Sequence, residues 1–302
     1  MQRLLIVYNP NSSQYVHVKE EVLARIGEFS GYTVGKFAIN KVKFEKNIER
    51  LTMVLADGDM VIAAGGDATA AVAVNAILRS GKKVRYAVLP YGNFNDLART
   101  LKIFRLDEVF EVKETTKFYP LEVYVDGKFW RYASCYVTIG MTAEAVEIFD
   151  RPKIRAKMQK GHRSSWRSYM QLMVWYFKNR RKKVFLPSFS VNGVAQKKKA
   201  SDYAAVNGAS MCRVMRGGED FKKPKVFRSM VEKTISFPRL FVLMARSILW
   251  RTPGAETTGD VLEFDEPATV ELQAEGEYEI FKDIKKIEVK KGKKCLTVIS
   301  KR

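Results

Sequence analysis

The first 110 residues alternate short apolar segments with amphipathic ones, and this alternation restricts the possible folds more than any other feature of the chain. Strict alternation of strands and helices is typical of a parallel sheet covered on both faces. We therefore predict an α/β domain at the N-terminus. The predicted strands are 3–10, 32–40, 60–66 and 84–92, and the predicted helices are 17–29, 44–56, 68–79 and 95–102.

The pattern of the chain changes after about residue 119. Asp126-Gly127 and Asn192-Gly193 are each flanked by strand-like segments, and such residue pairs favour tight hairpin turns. A helical pattern covers roughly 152–180, and strand-like segments return from residue 261 onward. These features predict a second, mainly β domain with a helical insertion.

Basic residues are concentrated in 151–251, which contains 25 Lys and Arg but only four Asp and Glu. This segment carries a net charge of +21, whereas the whole chain carries +20. Such a concentration of charge indicates an anionic partner, either the backbone of a nucleic acid or an acidic lipid surface. A merely solvated basic face is the third alternative.

No apolar run approaches the roughly 20 residues that a helix needs to cross a bilayer. The N-terminal sequence MQRLLIVYNPNSS lacks the pattern of a signal peptide. Three widely separated cysteines argue against both a disulfide framework and a CxxC metal site. We expect a cytoplasmic protein.

Three polar loops follow predicted strands at the edge of the sheet where α/β proteins bind ligands. Their glycines allow a ligand to approach the backbone, and the helix N-termini that follow attract anions. These loops predict a phosphate site, although Asp67 taken alone is better explained as a helix cap. Neither a P-loop nor a GxGxxG sequence occurs, so the site must be of another type. The loops are Asn9-Pro10-Asn11-Ser12-Ser13, Gly65-Gly66-Asp67-Ala68-Thr69 and Pro90-Tyr91-Gly92-Asn93-Phe94-Asn95-Asp96.

Four motifs, in this order and spacing, resemble the diacylglycerol kinase catalytic-domain family of lipid kinases, relatives of sphingosine kinases and more distantly of NAD kinases. The motifs are YNPNSS, GGDATAAV, PYGNFNDLAR and AEGE at 274–277. The corresponding family signatures are an N-P-x-x-G-like turn, G-G-D-G-T, P-x-G-T-x-N-D-x-A-R and a late D-G-E. The element Asn95-Asp96-Leu97-Ala98-Arg99 favours the lipid branch over NAD kinase, and the resemblance covers nearly the whole chain.

The resemblance implies two domains of an NAD kinase/diacylglycerol kinase-like fold, with ATP and a lipid meeting in the cleft. Residues 1–120 would bind the nucleotide and receive 288–302 from the C-terminus, and 121–287 would form a β-sandwich for the lipid. ATP and Mg²⁺ are the implied cofactors. The implied nucleotide-binding residues are Asn9, Gly65, Gly66, Thr69, Gly92 and Asn95, and the implied catalytic residues are Asp67, Glu275 and Glu277.

Phosphoryl transfer needs a carboxylate that takes the proton of the attacking hydroxyl, and Mg²⁺ to disperse charge. By the resemblance, Glu275 is the candidate general base, and Glu277 contacts the nucleotide or a metal-bound water. Asp67 acts either as a ligand of Mg²⁺ or as a proton acceptor, and both roles remain open. Asp96 and Arg99 are interpreted as cap and ion-pair residues.

The chain departs from the family signatures at four positions: Ala68 replaces Gly, Asn93 replaces Thr, Phe94 fills a usually small position and Glu275 replaces Asp. If position 68 requires a positive φ, its methyl group would cost about 1 kcal/mol or more. The alternative hypothesis is therefore a catalytically degenerate lipid- or nucleotide-binding protein of the same fold. A nucleic-acid-binding protein and an NAD kinase are the less favoured hypotheses.

The basic segment has a use in a lipid kinase, because the enzyme must reach its substrate at a bilayer. Residues 164–183 set an aromatic, Met-rich stretch beside the basic run 180–183. Trp166, Trp175 and Tyr176 suit a membrane interface, and packing of the same helix on the second domain is the alternative. We therefore expect a peripheral membrane protein that docks through 151–251.

Overall fold

The computed structural model divides into two compact units, which are described separately. The α/β unit contains Met1–Pro120 and the chain from Gly292 onward, and the β unit contains the described residues between Leu121 and Lys291. The structure describes residues 1–12, 14–40, 43–151, 166–180, 185–212, 215–216, 225–232, 236–249 and 252–301.

The α/β unit has six strands and five α-helices among the described residues, numbered here in chain order through the molecule. The strands are β1 Gln2–Tyr8, β2 Tyr32–Ala38, β3 Met60–Gly65, β4 Arg85–Pro90, β5 Thr115–Phe118 and β18 Leu296–Ile299. The helices are α1 Tyr15–Val18, α2 Phe44–Val54, α3 Asp67–Ser80, α4 Asp96–Leu101 and α5 Leu106–Glu111.

These six strands form one sheet in the order β2-β1-β3-β4-β18-β5. Neighbouring strands from β2 to β18 run parallel, and β5 alone pairs antiparallel, with β18. The central strands are buried on both faces, as continuous apolar runs in parallel sheets must be. The predicted α/β domain with a parallel sheet is confirmed.

The helix predicted at 68–79 is α3, and it stops where Gly81 adopts a left-handed conformation with φ of 68°. The helix predicted at 17–29 is instead broken into α1, a π-helical turn at Lys19–Leu23 and a 3₁₀ turn at Ile26–Glu28. Gly27 lies in the last of these turns, and glycine weakens a helix interior because of its backbone entropy.

The β unit contains twelve strands and three α-helices among its described residues. Its first strands are β6 Leu121–Val125, β7 Lys128–Ala133, β8 Tyr136–Gly140, β9 Phe189–Val191, β10 Val194–Ala195 and β11 Ala200–Val206. They are followed by β12 Ser210–Met211, β13 Met215–Arg216, β14 Val226–Glu232, β15 Ala255–Thr257, β16 Gly259–Ala274 and β17 Glu277–Lys291. The helices are α6 Met141–Asp150, α7 Trp166–Asn179 and α8 Phe237–Leu249.

Ten of these strands form one antiparallel sheet in the order β15-β14-β11-β8-β16-β17-β6-β7, with β9 and β10 joined to β16. Strand β16 pairs with β9 near its start and with β8 near its end, and its register is irregular between Glu263 and Ala268. Residues from both ends of β16 belong to one apolar core. Because this core is formed largely on one ten-stranded sheet, the predicted, mainly β second domain is confirmed.

The predicted hairpin turns are also confirmed, because Asp126-Gly127 and Asn192-Gly193 have positive φ at both positions, as type I′ turns require. The predicted return of 288–302 differs in one respect. Glu288–Lys291 pair with β6 as part of β17, and only the chain from Gly292 belongs to the α/β unit.

Helices α6, α7 and α8 pack on one another through a second apolar cluster. Of the helix predicted at 152–180, the structure describes α7, whereas 152–165 and the basic residues 181–184 lie outside the described residues. Tyr176 is buried and donates a hydrogen bond from its hydroxyl to Glu144, so it does not lie at a membrane interface. The side chain of Trp166 also lies outside the described part, and Trp175 is half-buried.

Candidate active site

Three loops meet at the carboxyl edge of the parallel sheet because the strands before them are neighbours. In the sheet Tyr8 lies opposite Ala64, and Gly65 lies opposite Pro90. The loops that begin at Asn9, Gly66 and Tyr91 therefore leave adjacent strands at the same edge. This is the edge at which α/β proteins bind their ligands.

The glycines of these loops are required by the packing of the backbone. A Cβ on Gly92 would lie 2.3 Å from the Cα of Gly66, and a Cβ on Gly65 would lie 2.4 Å from Oγ1 of Thr69. The N–H of Tyr91 donates to the carbonyl of Gly65 at 3.1 Å, which ties the second and third loops together. The edge is thus a close-packed backbone surface beside the N-terminus of α3.

Asp67 is the first residue of α3, but its carboxylate caps a different helix. Its Oδ2 accepts the N–H of Asn95 at 3.0 Å, and its Oδ1 accepts the N–H of Asp96 at 2.8 Å, at the start of α4. Asp67 is thus a helix cap, but of α4, whereas the sequence indicated a cap of the helix that follows β3 directly. A carboxylate can accept about four hydrogen bonds, so this capping is compatible with a further role toward phosphate or metal.

Asn95 is buried and sits in the left-handed conformation with φ of 56°. Its side-chain oxygen accepts the N–H of Gly92 at 2.7 Å, and its amide nitrogen donates to the carbonyls of Pro90 and Gly92. These bonds fix the shape of the third loop. A role of Asn95 toward a nucleotide therefore includes positioning of that loop.

Ala68 lies in the first turn of α3 and is not among the residues with positive φ. Its methyl group therefore causes no backbone strain, and the conformational objection to this departure does not apply. The adjacent Thr69 is buried, with its side chain close to Gly65. Asn93 is exposed and Phe94 is half-buried in the third loop.

The first loop is held by a local turn. The side-chain oxygen of Asn9 accepts the N–H of Asn11 at 2.9 Å, and the carbonyl of Asn9 accepts the N–H of Ser12 at 3.1 Å. Such a turn orients the asparagine and the backbone amides that follow it. Asn9 thereby has a defined position at the end of β1.

Tyr91 links the third loop to the first helical segment. Its hydroxyl donates to Glu21 at 2.9 Å. Burial raises the pKa of Tyr91 above its ordinary value, and the bond to Glu21 adds to this effect. Tyr91 therefore stays neutral, and its bond to Glu21 fixes the position of its side chain beside the third loop. Tyr91 was not predicted as a site residue, because it occupies the unspecified position x of the P-x-G motif.

Glu275 and Glu277 lie in the β unit, in the hairpin between β16 and β17. Glu275 and Gly276 form the turn, with φ of 53° and 90°. The Glu275 side chain is only 4% exposed, and its Oε1 accepts the N–H of Cys135 at 2.6 Å. Glu277 is half-buried at the first position of β17, opposite Ala274.

A buried glutamine supports this turn. In the orientation of the Gln273 amide that satisfies its neighbours, Nε2 donates to Oγ1 of Thr138 at 2.6 Å. Oε1 then accepts the N–H groups of Glu275 and Gly276 at 3.2 and 2.7 Å. Glu275 is thus held from its backbone and from its carboxylate. A carboxylate with so little freedom is suited to act on a substrate in one fixed geometry.

Among the described residues, no group of three or more His, Cys, Asp or Glu side chains is arranged to hold a metal ion. Mg²⁺ is commonly bound by one or two carboxylates together with substrate phosphates and water. The carboxylate of Asp67, at the carboxyl edge of the sheet, fits a Mg²⁺ ion whose other ligands would be substrate phosphates and water.

The fold and this edge together define an α/β protein with a second, mainly antiparallel β unit. The three loops at the edge, at 9–12, 66–69 and 91–96, are called the rim below. Residues 3–119 match the model of the diacylglycerol kinase catalytic domain. The resemblance carried by the four motifs is thereby confirmed for the part of the chain that builds the rim.

Two curated relatives match the same part of the chain. A diacylglycerol kinase of Staphylococcus carnosus is 33% identical over 104 residues, which are 34% of this chain and 33% of that protein. A diacylglycerol kinase of Staphylococcus aureus is 32% identical over 104 residues, with 34% and 32% coverage. The chain thus matches about a third of the length of these relatives.

The similarity in fold extends further than the similarity in sequence. A crystal structure of a diacylglycerol kinase from Bacillus anthracis superposes with a TM-score of 0.67 at 14% sequence identity. It covers 99% of this chain and 97% of that one. At this identity the match shows the fold, and it includes the β unit that the sequence matches leave out.

Proposed function

We propose that this chain is a lipid kinase that transfers the γ-phosphate of ATP to the hydroxyl of diacylglycerol or a similar lipid at a membrane surface. The observation that carries the proposal is the rim itself. Its three loops leave adjacent strands at one edge of the sheet, and Asp67 joins the second loop to the third. The sequence match at residues 3–119 supports the same assignment.

The rim supplies the groups that a triphosphate requires. N–H groups at the start of α3 can bind phosphate oxygens, and Gly65, Gly66 and Gly92 allow the phosphates to approach the backbone closely. Asn9 and Thr69 add polar side chains at the same edge, and Asn95 keeps the third loop in place. Bound Mg²⁺ would neutralise charge on the phosphates, with Asp67 as its candidate protein ligand.

The reaction itself needs little covalent chemistry from the protein. The lipid hydroxyl oxygen forms a bond to the γ-phosphorus while the bond from that phosphorus to the bridging oxygen of ADP breaks. The hydroxyl proton passes to a carboxylate. Glu275 is the candidate general base, Glu277 is a candidate contact to the nucleotide or to a metal-bound water, and Asp67 acts on the phosphates or as the alternative base.

The proposal also includes peripheral binding to an anionic membrane, for which the net charge of +21 on 151–251 is the motivation. In the described part of the chain no helix combines the length and apolar character that crossing a bilayer requires.

An acceptor panel tests the proposal. The chain is incubated with ATP labelled in the γ-phosphate, Mg²⁺ and either vesicles containing diacylglycerol, vesicles without it, or NAD. We expect label in the lipid and none in NAD. Label in NAD would indicate an NAD kinase, and saturable ATP binding without transfer to any neutral lipid would indicate a catalytically degenerate binding protein.

A further inference from the structure

The outer face of α8 combines exposed apolar side chains with arginines. Val242 is 62% exposed and Leu249 is 67% exposed, and Phe241 is 37% exposed beside them. Arg239 and Arg246 are exposed on the same helix. At 3.6 residues per turn, these five residues fall on one side of α8.

The opposite face of α8 is packed inside the β unit. Leu240 and Leu243 contact the apolar cluster formed by α6 and α7, and the rings of Phe177 and Phe237 lie 5.4 Å apart. The side chain of Ser247 is fully buried. The helix is therefore fixed to the β unit along one face, and its outward face is a stable feature of the surface.

A shallow groove of about 350 Å³ extends from the outward face to Leu243, at the border with the packed face. Its other lining residues are Pro238, Arg239, Val242, Arg246 and Pro253. Residues 233–251 contain four Lys and Arg and no Asp or Glu. Exposed aliphatic groups between cations, without any anion, are characteristic of helices that lie in the plane of an anionic membrane surface.

We infer that α8 is the element that docks this protein on an anionic bilayer, with Val242 and Leu249 inserted at the acyl boundary and Arg239 and Arg246 at the lipid phosphates. This inference rests on the proposed lipid kinase function and assigns its membrane contact to one helix. A 13-residue helix lies in the interface and does not cross it.

Two other occupants fit this face less well. A two-fold contact between copies of the chain would bring Arg239 and Arg246 against the same arginines of the second copy, without acids to compensate. A nucleic acid backbone would pair with the arginines but would leave Val242 and Leu249 against phosphates. Only a lipid surface has partners for both kinds of side chain.

The test is flotation of the full chain with vesicles of phosphatidylcholine, alone or mixed with phosphatidylglycerol. We expect binding only to the mixed vesicles, weakened by salt. Arg239→Gln and Arg246→Gln should each lower the partition coefficient about fivefold, and Val242→Glu should lower it by about tenfold or more. Leu249→Glu provides a second apolar variant if Val242→Glu does not fold, as judged by thermal denaturation.

The matched control is Val194→Glu, because Val194 is a 67% exposed valine in the hairpin of β9 and β10. It should bind the mixed vesicles as the wild type does. Wild-type binding by Val242→Glu, or an equal loss for Val194→Glu, would overturn the inference. The inference would also be overturned by a dimer that forms without vesicles and dissociates in the Val242→Glu variant. RNA that displaces the chain from the vesicles would overturn it as well.

Turnover is measured separately with a short-chain diacylglycerol dissolved as monomer, without vesicles. Absence of turnover together with α8-dependent vesicle binding would contradict the proposed function and leave the docking surface intact. Turnover on this acceptor, with vesicle binding that no α8 variant changes, would support the function and contradict the docking surface.

Discussion

At the carboxyl edge of the parallel sheet, Gly66 and Gly92 allow the loops after β3 and β4 to approach each other more closely than a side chain at either position would permit. The 2.3 Å distance from a Cβ at position 92 to the Cα of Gly66 is one that real Cβ atoms essentially never show. Relief would require the loop after β4 to move away from the loop after β3. The shape of the rim thus depends on glycine for steric reasons.

Gly92→Ala should therefore lower the free energy of unfolding by about 1–3 kcal/mol, the usual cost of overpacking, and should also reduce phosphate transfer. Chemical denaturation measures the first effect. Gly31→Ala is the control, since nothing lies within 4 Å of a Cβ there. Equal stability of the two variants would show that the two loops are not in contact as described.

Glu275 is the second residue with a specific expectation. Glu275→Gln keeps an oxygen that can accept the N–H of Cys135 but removes the ability to take a proton. If Glu275 is the general base, transfer to lipid should fall about 100-fold or more with little change in the melting temperature. Glu266→Gln, on an exposed glutamate of β16, is the control. A wild-type rate for Glu275→Gln would exclude the base role.

At the scale of secondary-structure elements, two helices are capped by aspartates that lie far from them in the sequence. Asp67 caps α4 across 28 and 29 residues. Asp202 on β11 caps α6 across 60 residues, because its carboxylate accepts the N–H of Thr142 at 2.9 Å and the hydroxyl of Thr142 at 2.7 Å. Asp67 joins the start of α3 to the start of α4, and Asp202 joins β11 to the start of α6, although neither pair is adjacent in the sequence.

Asp202 makes the stability of the β unit depend on pH. Burial raises the pKa of Asp202 to about 7, an effect that the two bonds from Thr142 partly offset. The native state therefore holds a proton that the unfolded chain releases at its ordinary pKa of 3.8. This contribution to stability is present at low pH and is lost as the pH rises to about 7, by on the order of a few kcal/mol.

Asp202→Asn should remove this dependence, since asparagine can accept from the N–H of Thr142 and donate to its hydroxyl without ionising. The melting temperature of the variant relative to the wild type should rise between about pH 5 and about pH 8. Asp265→Asn, on an exposed aspartate, should show no such change. Parallel pH profiles for wild type and Asp202→Asn would contradict the assignment.

The elements themselves were predictable where the periodic signal was local. Strands β1 to β4 and helices α2, α3 and α4 follow from apolar runs and from Gly81, whereas the helix predicted at 17–29 is broken and α5 was not predicted. The two type I′ turns follow from Asp-Gly and Asn-Gly. Helices α6 and α8 were missed, because α6 follows a strand without a polar break and α8 was interpreted only as an apolar run. The partner of Asp67 could not be found, because pairing between loops depends on strand order.

At the scale of the whole molecule, sequence similarity and fold similarity cover different parts of the chain. The family model ends at residue 119, whereas the structural match covers 99% of the chain. The β unit therefore shares its fold with that structure, whereas the sequence matches do not extend into this unit. Among the four motifs, AEGE at 274–277 lies in this unit, outside the residues that the family model matches.

The departures at the rim also have a physical reading at this scale. The alanine at position 68 fits its helical conformation, so the condition for strain there, a positive φ, is not met. The left-handed positions are instead Asn95 and Glu275, the first a residue that tolerates this conformation well.

The most direct measurement of the central claim compares transfer of labelled γ-phosphate from ATP to diacylglycerol by the wild type, Asp67→Asn and Asp57→Asn. Asp57 is an exposed aspartate before β3 in the same unit and serves as the matched control. We predict that the wild type and Asp57→Asn form labelled lipid at similar rates and that Asp67→Asn is slower by about 100-fold or more. Labelled lipid formed equally fast by Asp67→Asn, or by none of the three, would contradict the account.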